Sequence, residues 1–274
     1  MPPSKRVVRH ATVTATRTIS PSLIRVSLDS PDLVGLDLPF TDHYVKLLFP
    51  PAGSDYALPF DPDEHPDERP TTRTYSLRRR DTVNGTMDID FVTHGDTGVA
   101  GPWAEQAKPG DRINYFGPGG AWTPTGDYDY FVLAGDEAAA PAICAALEEF
   151  PAGKAGVAFL EVADEQSVFE LPAVAGVEIV WVYRDGAPYG QKLAEEVRTV
   201  ATPTNGKTSW FVHGVAEMVK DLRRYLFVER GFDKADVSIS GYWRAGMNED
   251  GWQSSKHEFV AGMEAEETAA MSRS

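Results

Sequence analysis

The stretch Thr123-Pro124-Thr125-Gly126-Asp127-Tyr128-Asp129-Tyr130-Phe131-Val132-Leu133-Ala134 is where the chain changes its period. Its first residues form a polar linker of turn formers, and Tyr130 to Ala134 is a continuous apolar run of the kind that fills a strand buried on both faces. A boundary here divides the chain into two expected domains, residues 1–124 and 125–274. The total of 274 residues agrees, since one domain commonly holds ~100 to 150.

Upstream of the linker the pattern is short and β-like. Ala11 to Thr16, Leu23 to Leu28, His43 to Phe49, Thr74 to Arg79, Met87 to Val92 and Arg112 to Phe116 are alternating or β-branched runs bounded by turn residues. Asn84-Gly85 is a tight-turn signal that pairs the fourth and fifth runs as a hairpin. Many strands and few helices predict a small closed antiparallel barrel. The proline-rich acidic stretch from Asp55 to Pro70 reads as an irregular surface loop.

Downstream, strands alternate with helices. Tyr130 to Ala134, Val157 to Val162, Val177 to Val182, Ser209 to His213 and Val237 to Tyr242 read as strands. Ala138 to Phe150, Gln191 to Val200, Ala216 to Glu229 and Gln253 to Gly262 read as helices, the last a C-terminal extension. This order predicts a mostly parallel α/β sheet covered on both faces, so the fold class is β followed by α/β.

Composition narrows the function. With 41 acidic and 26 basic residues the net charge is -15, a repulsive average field for nucleic acid. Cys144 is the only cysteine, which excludes an internal disulfide and a protein-ligated iron-sulfur cluster and fits the cytosol. No apolar stretch approaches the ~18 residues of a membrane span, and Met1 to Arg6 is not a signal sequence. A cytoplasmic, monomeric protein is expected. The six histidines are not spaced as metal ligands, and no Gly-x-Ser-x-Gly or His-Glu-x-x-His motif occurs.

Two segments carry chemistry. In Arg73-Thr74-Tyr75-Ser76 strand alternation sends Arg73 and Tyr75 to one face and Thr74 and Ser76 to the other. An Arg fork suits a pyrophosphate, and an aromatic ring with nearby hydroxyls suits a flavin; an ordinary barrel strand with an exposed Arg is the competing reading. In Asp90-Phe91-Val92-Thr93-His94-Gly95-Asp96-Thr97-Gly98-Val99-Ala100-Gly101-Pro102-Trp103 a strand ends in a glycine-rich turn before a short helix over 99–107, whose first N-H groups suit a phosphate. That turn has an equally good reading as a plain connection capped by Thr97.

These segments, with Leu133-Ala134-Gly135-Asp136-Glu137-Ala138-Ala139-Ala140-Pro141 and with Gly241-Tyr242-Trp243-Arg244 before Glu249-Asp250-Gly251-Trp252, stand in one order over about Val7 to Phe259. In this the chain resembles the siderophore-interacting proteins, a family of FAD-dependent ferric-siderophore reductases. The resemblance implies a ferredoxin-reductase-like fold with a flavin barrel and a nicotinamide-binding α/β domain, FAD as cofactor, and NADH, NADPH or a ferredoxin-type protein as electron donor.

It also implies roles. Arg73, Thr74, Tyr75 and Ser76 would meet FAD; His94, Thr97, Val99 and Ala100 would line its phosphates; Asp90 and Trp103 belong to the same motif. Asp136 and Glu137 would face the nicotinamide side, or cap the helix that follows. Tyr242 and Trp243 would cover the flavin or adenine, or pack in the core. Lys46 and Arg244 would hold an anionic ferric siderophore. Relatives often place a further Arg in the loop that here reads Gly117-Pro118-Gly119-Gly120, so the basic cluster is thinner. Electron transfer by FAD leaves no protein catalytic group to name. The alternatives are a flavin reductase with another acceptor and a non-catalytic siderophore-binding protein.

Overall fold

In the computed structural model the described residues are 7–51, 53, 69–93 and 98–272. They divide into two compact units, Met1–Thr123 and Pro124–Ser274.

The first unit is a closed barrel with strand order β1-β2-β5-β4-β3-β6. Its strands are β1 (Val8–Ser20), β2 (Leu23–Asp29), β3 (Tyr44–Phe49), β4 (Thr71–Asp81), β5 (Thr86–Val92) and β6 (Arg112–Gly119). All the pairings are antiparallel, and β1 closes the ring on β6 from Val8 opposite Phe116 to Thr12 opposite Arg112. Alternate residues fill the interior: Val13, Val26, Leu28, Val45, Leu47, Leu77, Ile89, Phe91 and Tyr115 are buried in one cluster. Burying one such side chain stabilises by roughly 1.5–3 kcal/mol, so the alternation alone fixes which face points inward.

The β4–β5 hairpin forms where Asn84-Gly85 predicts it, with Asp81 opposite Thr86. Gly85 takes φ 74°, a left-handed conformation that costs glycine little. The Asp81 carboxylate accepts hydrogen bonds from the Val83 and Asn84 amides (2.8 and 2.9 Å) and from Asn84 Nδ2 (2.7 Å). Those donors hold its pKa below the ordinary carboxylate value. After β5, helix α1 (Ala100–Gln106) leads into β6.

The second unit is an all-parallel five-stranded sheet, order β11-β10-β7-β8-β9. Its strands are β7 (Tyr130–Gly135), β8 (Ala155–Val162), β9 (Val177–Tyr183), β10 (Thr208–Val215) and β11 (Val237–Trp243). Every residue of β10 is buried, as expected of an interior strand in a sheet covered on both faces. Helices α3 (Gln191–Arg198) and α4 (Ala216–Arg223) cover one face through Leu193, Val197, Met218 and Leu222, which share a core with Val132, Val212 and Trp210. Helix α2 (Ala140–Glu148) carries the buried Cys144, and just beyond it Phe150 meets Phe131 at 4.9 Å.

Two elements differ from expectation. The long helix over 216–229 is α-helical only to Arg223 and continues as a π-turn over Arg224–Glu229. The C-terminal helix α5 spans Glu249–Met271, beginning before Trp252 and running beyond Gly262. Asn248 caps it by accepting from the Gly251 amide at 2.9 Å. Its far end is held by a buried ion pair in which Arg223 donates to both carboxylate oxygens of Glu267 (2.7 and 3.0 Å). Among the described residues no helix is long and apolar enough to cross a membrane, and no group of His, Cys, Asp and Glu is arranged to hold a metal ion.

Candidate functional site

In the barrel, β4 presents its motif against β3. Arg73 stands opposite Leu47, Thr74 opposite Lys46, Tyr75 opposite Val45 and Ser76 opposite Tyr44. Val45 and Leu47 are fully buried, so Arg73 and Tyr75 share the side that leads into the barrel. Lys46, Thr74, Ser76 and Tyr44 share the other. Directly opposed residues bring their Cβ atoms to about 4.5–5.5 Å, which sets the Lys46 stem beside Thr74. Of the predicted flavin motif, Thr74 and Ser76 are thus neighbours of the predicted substrate cation Lys46 on one sheet face, and Arg73 and Tyr75 stand on the opposite one.

The aromatic members of the motif also pack. The Tyr75 ring lies 4.4 Å from Phe91, and Trp103 lies 5.6 Å from Phe91 and 5.9 Å, edge-on, from Phe49. Trp103 therefore seats α1 against the barrel. A Cβ at Gly101 would come within 3.6 Å of the Val92 carbonyl, so the helix starts close over the end of β5. Val99 is partly exposed just before the helix and Ala100 is buried. His94 and Thr97 lie outside the described residues. Asp90 is buried and engaged: Arg25 Nε and Nη2 donate to its two oxygens at 2.6 and 2.8 Å. Its place is under the motif, as an anchor between β2 and β5.

The loop after β6 explains its own glycines. A Cβ on Gly119 would stand 2.9 Å from the Tyr44 ring, and one on Gly120 would stand 2.7 Å from His43 Nδ1. Tyr44 and His43 occupy the space in which a side chain on that loop would begin. The donor set on this part of the barrel, an Arg fork, a neighbouring ammonium, two hydroxyls, a phenol and a tyrosine ring, has the chemistry that a pyrophosphate and a flavin ring require.

In the second unit the strand order reverses between β7 and β10, the switch point where α/β sheets bind ligands beyond their carboxyl ends. Asp136 follows β7 there and is 1% exposed. Its Oδ2 accepts from the Val215 amide at the end of β10 (2.9 Å) and from Trp243 Nε1 at the end of β11 (2.8 Å), and its Oδ1 accepts from the Ala138 amide (3.0 Å). The Ala138 bond closes a turn ahead of α2, whose own N-cap is Ala139 with no side-chain cap, so the structure gives Asp136 the strand-end position and not the helix cap. Burial and then Glu137 push its pKa up to about 7, against the pull of the Trp243 hydrogen bond.

Beside it lies a cluster the sequence does not announce. Arg184 donates to both oxygens of Glu137 (2.6 and 2.8 Å) and to Glu161 Oε1 at 3.3 Å, and all these side chains are buried. Burial opposes the charge on Arg184, but the hydrogen bonds and charge of Glu137 raise its pKa further. Glu161 also accepts from the Gly190 amide (2.9 and 3.1 Å); burial nevertheless leaves its pKa raised. The Arg184 guanidinium stacks 4.0 Å over Tyr189, whose ring meets Trp243 edge-on at 4.8 Å.

The remaining predicted residues sit around this network. Trp243 is half-buried and tied to Asp136. Tyr242 turns toward His213, with ring centroids 5.0 Å apart. Arg244 donates to Glu217 at 3.2 Å and lies 4.9 Å over Phe259, so its charge is partly answered within the unit.

Residues 12–122 match the family model described as siderophore-interacting FAD-binding domain, and residues 128–246 match siderophore-interacting protein. The chain belongs to the siderophore-interacting protein family. Its barrel is that family's FAD-binding domain, and the family and fold make it a flavin-dependent oxidoreductase with FAD as cofactor. It is 40% identical over 270 residues to an uncharacterized protein of Mycobacterium tuberculosis, covering 90% of this chain and 94% of that one. It is 31% identical to the NADPH-dependent ferric-chelate reductase of Escherichia coli, covering 86% and 93% of the two chains. Among solved structures, the siderophore-interacting protein SipS of Aeromonas hydrophila superposes with a TM-score of 0.78 at 31% identity, covering 93% of this chain and 99% of that one. More distant flavoproteins, among them a ferredoxin-NADP+ reductase, share the fold.

Proposed function

We propose that this siderophore-interacting protein is a cytoplasmic, monomeric ferric-siderophore reductase. Residues 1–124 hold FAD and residues 125–274 receive NADH or NADPH as the electron donor. The observation that carries the acceptor is the β3–β4 register, which sets Lys46 opposite Thr74 within the FAD-binding barrel. A cation beside the flavin motif answers the problem of an acidic protein with an anionic substrate. The donor reading is supported by the switch-point crevice at β7 and β10 and by likeness to an NADPH-dependent ferric-chelate reductase.

When bound, FAD accepts a hydride as an electron pair and releases the electrons singly. One NAD(P)H thus reduces two Fe(III) to two Fe(II), with NAD(P)+ and one proton as the other products. Siderophores bind Fe(III) through hard oxygen donors, and these bonds weaken on reduction, so the metal passes to competing ligands. No nucleophile or proton relay is required of the protein.

Its residues bind and orient. Arg73 would hold the pyrophosphate, Thr74 and Ser76 would offer hydroxyls to the flavin's polar edge, and Tyr75 would offer an aromatic ring to the flavin. Val99 and Ala100 would bring the start of α1 to the phosphates, and His94 and Thr97, which lie outside the described residues, are assigned to the same phosphates by the family resemblance. Lys46 and Arg244 each offer a cation to an anionic ferric complex. Asp90 and Trp103 support this set from beneath, through Arg25 and through Phe49 and Phe91.

Anaerobic mixing of the FAD-loaded protein with NADH or NADPH and a panel of ferric siderophores, with an Fe(II)-trapping chelator, tests the reading. Fe(II) release dependent on FAD and nucleotide is expected. Release with free flavin or quinone as acceptor, but with none of the ferric complexes, would overturn it.

A further inference from the structure

The carboxylate of Asp136 binds the end of β10 and the end of β11 at the same time, across the one place where the sheet order reverses. The backbone is shaped around it. Gly214 takes φ +142°, and a Cβ there would lie 2.7 Å from Asp136 Oδ2. A Cβ on Gly135 would lie 2.5 Å from Ala139 Cβ and 2.9 Å from the His213 carbonyl. Gly214 leaves the room that the Asp136 carboxylate occupies, and Gly135 lets β7 pass close to Ala139 and to the end of β10.

We infer that Asp136 is a positioning residue for the electron donor: by joining the Val215 amide to the Trp243 indole it fixes Trp243 as the wall against which a nicotinamide dinucleotide seats. Trp243 is held from two sides, by this hydrogen bond and by the edge-on ring of Tyr189, which is itself fixed by Arg184 and the buried Glu137. An indole anchored in this way keeps one orientation before any ligand arrives, and a preorganised wall spares the ligand the cost of ordering it. Asp136 touches no reacting atom and acts through Trp243.

The inference rests on the donor reading above, and the test separates the two. The FAD-loaded protein is compared with Asp136→Asn, Trp243→Phe and the double variant. Phenylalanine keeps an aromatic wall but has no N-H, and asparagine turns an amide toward donors that need an acceptor. Three quantities are measured: the KM for NADPH and NADH, the Kd of NADP+ by calorimetry, and the rate at which photoreduced protein is reoxidised by ferric citrate.

Each single variant should raise KM and Kd about tenfold, the size of one net intramolecular hydrogen bond. The double variant should add little to either, and reoxidation should match the parent. Unchanged KM and Kd in Trp243→Phe, or additive effects in the double variant, would overturn the positioning role; the Phe variant decides the matter if Asp136→Asn does not fold. A parent protein that neither nucleotide reduces would sink the donor reading itself and this inference with it, before any variant is made.

Discussion

Lys46 stands opposite Thr74 across the β3–β4 pair, one strand away from the residues that define the flavin motif. A lysine there sets a cation beside Thr74 on the sheet face turned away from the barrel core. Its consequence is local attraction in a protein of net charge -15.

Lys46→Ala combined with Arg244→Ala is therefore expected to keep its FAD and its fold while losing turnover of anionic ferric siderophores. Arg244 is bonded to Glu217 at a partly exposed site, where an ion pair is worth about 0–1 kcal/mol, so stability changes little. The loss should be several-fold at low ionic strength and shrink toward 1 M salt, where the screening length falls to about 3 Å. Steady-state rates over a salt series, with flavin content read from the visible spectrum, check this.

Arg73→Ala should release FAD. Losing a bidentate guanidinium contact to a pyrophosphate removes roughly 1.5–3 kcal/mol, or about one to two orders of magnitude in affinity. Arg73→Lys should recover part of it, because a point charge lacks the fork geometry. The flavin-to-protein absorbance ratio after gel filtration is the measurement, and an unchanged ratio in the Ala variant would refute the pyrophosphate role.

Arg184→Met tests the buried cluster. It leaves Glu137 and Glu161 without their shared guanidinium, and stranding buried charge in this way costs about 3–5 kcal/mol. Chemical denaturation should show the α/β unit weakened by that order. Arg184→Met with Glu137→Gln and Glu161→Gln should recover much of the loss, since the charges then vanish together.

Asp136 and His213 should oppose one another in the pH dependence of stability. The pKa of Asp136 is raised by burial from 3.8 to about 7, so its contribution is fully present below 3.8 and is lost as pH rises to about 7. The pKa of His213 is lowered by burial from 6.5 to about 3, so its contribution is present above 6.5 and is lost as pH falls toward 3. Asp136→Asn should leave the His213 limb alone, with stability rising from pH 4 to pH 6.5 more steeply than in the parent. His213→Gln should leave the opposite slope. Thermal unfolding across that range reads both.

Periodicity carried the architecture because burial enforces it. The alternation in Leu23 to Leu28 and Met87 to Val92 became paired barrel strands, and Asn84-Gly85 became the turn between β4 and β5. Where a segment is held by a distant partner, local pattern is silent. The Ala/Glu-rich stretch after Met263 looks like a solvated tail, yet it stays helical to Met271 because Glu267 reaches Arg223, 44 residues away in sequence. Arg184 escaped notice for the same reason, as Glu137 and Glu161 lie 47 and 23 residues from it. Asp90 was legible as part of a motif, but its bond to Arg25, 65 residues away, was not.

The glycines at the ends of β7 and β10 bear on how such crevices evolve. In many nucleotide-binding turns glycine lets the backbone approach a phosphate; here Gly214 makes way for the Asp136 carboxylate and Gly135 for Ala139 and the His213 carbonyl. The chain thus supplies its own acceptor to the Val215 amide and the Trp243 indole at the strand ends. Those two donors are satisfied within the chain, with no solvent acceptor to be recruited for them.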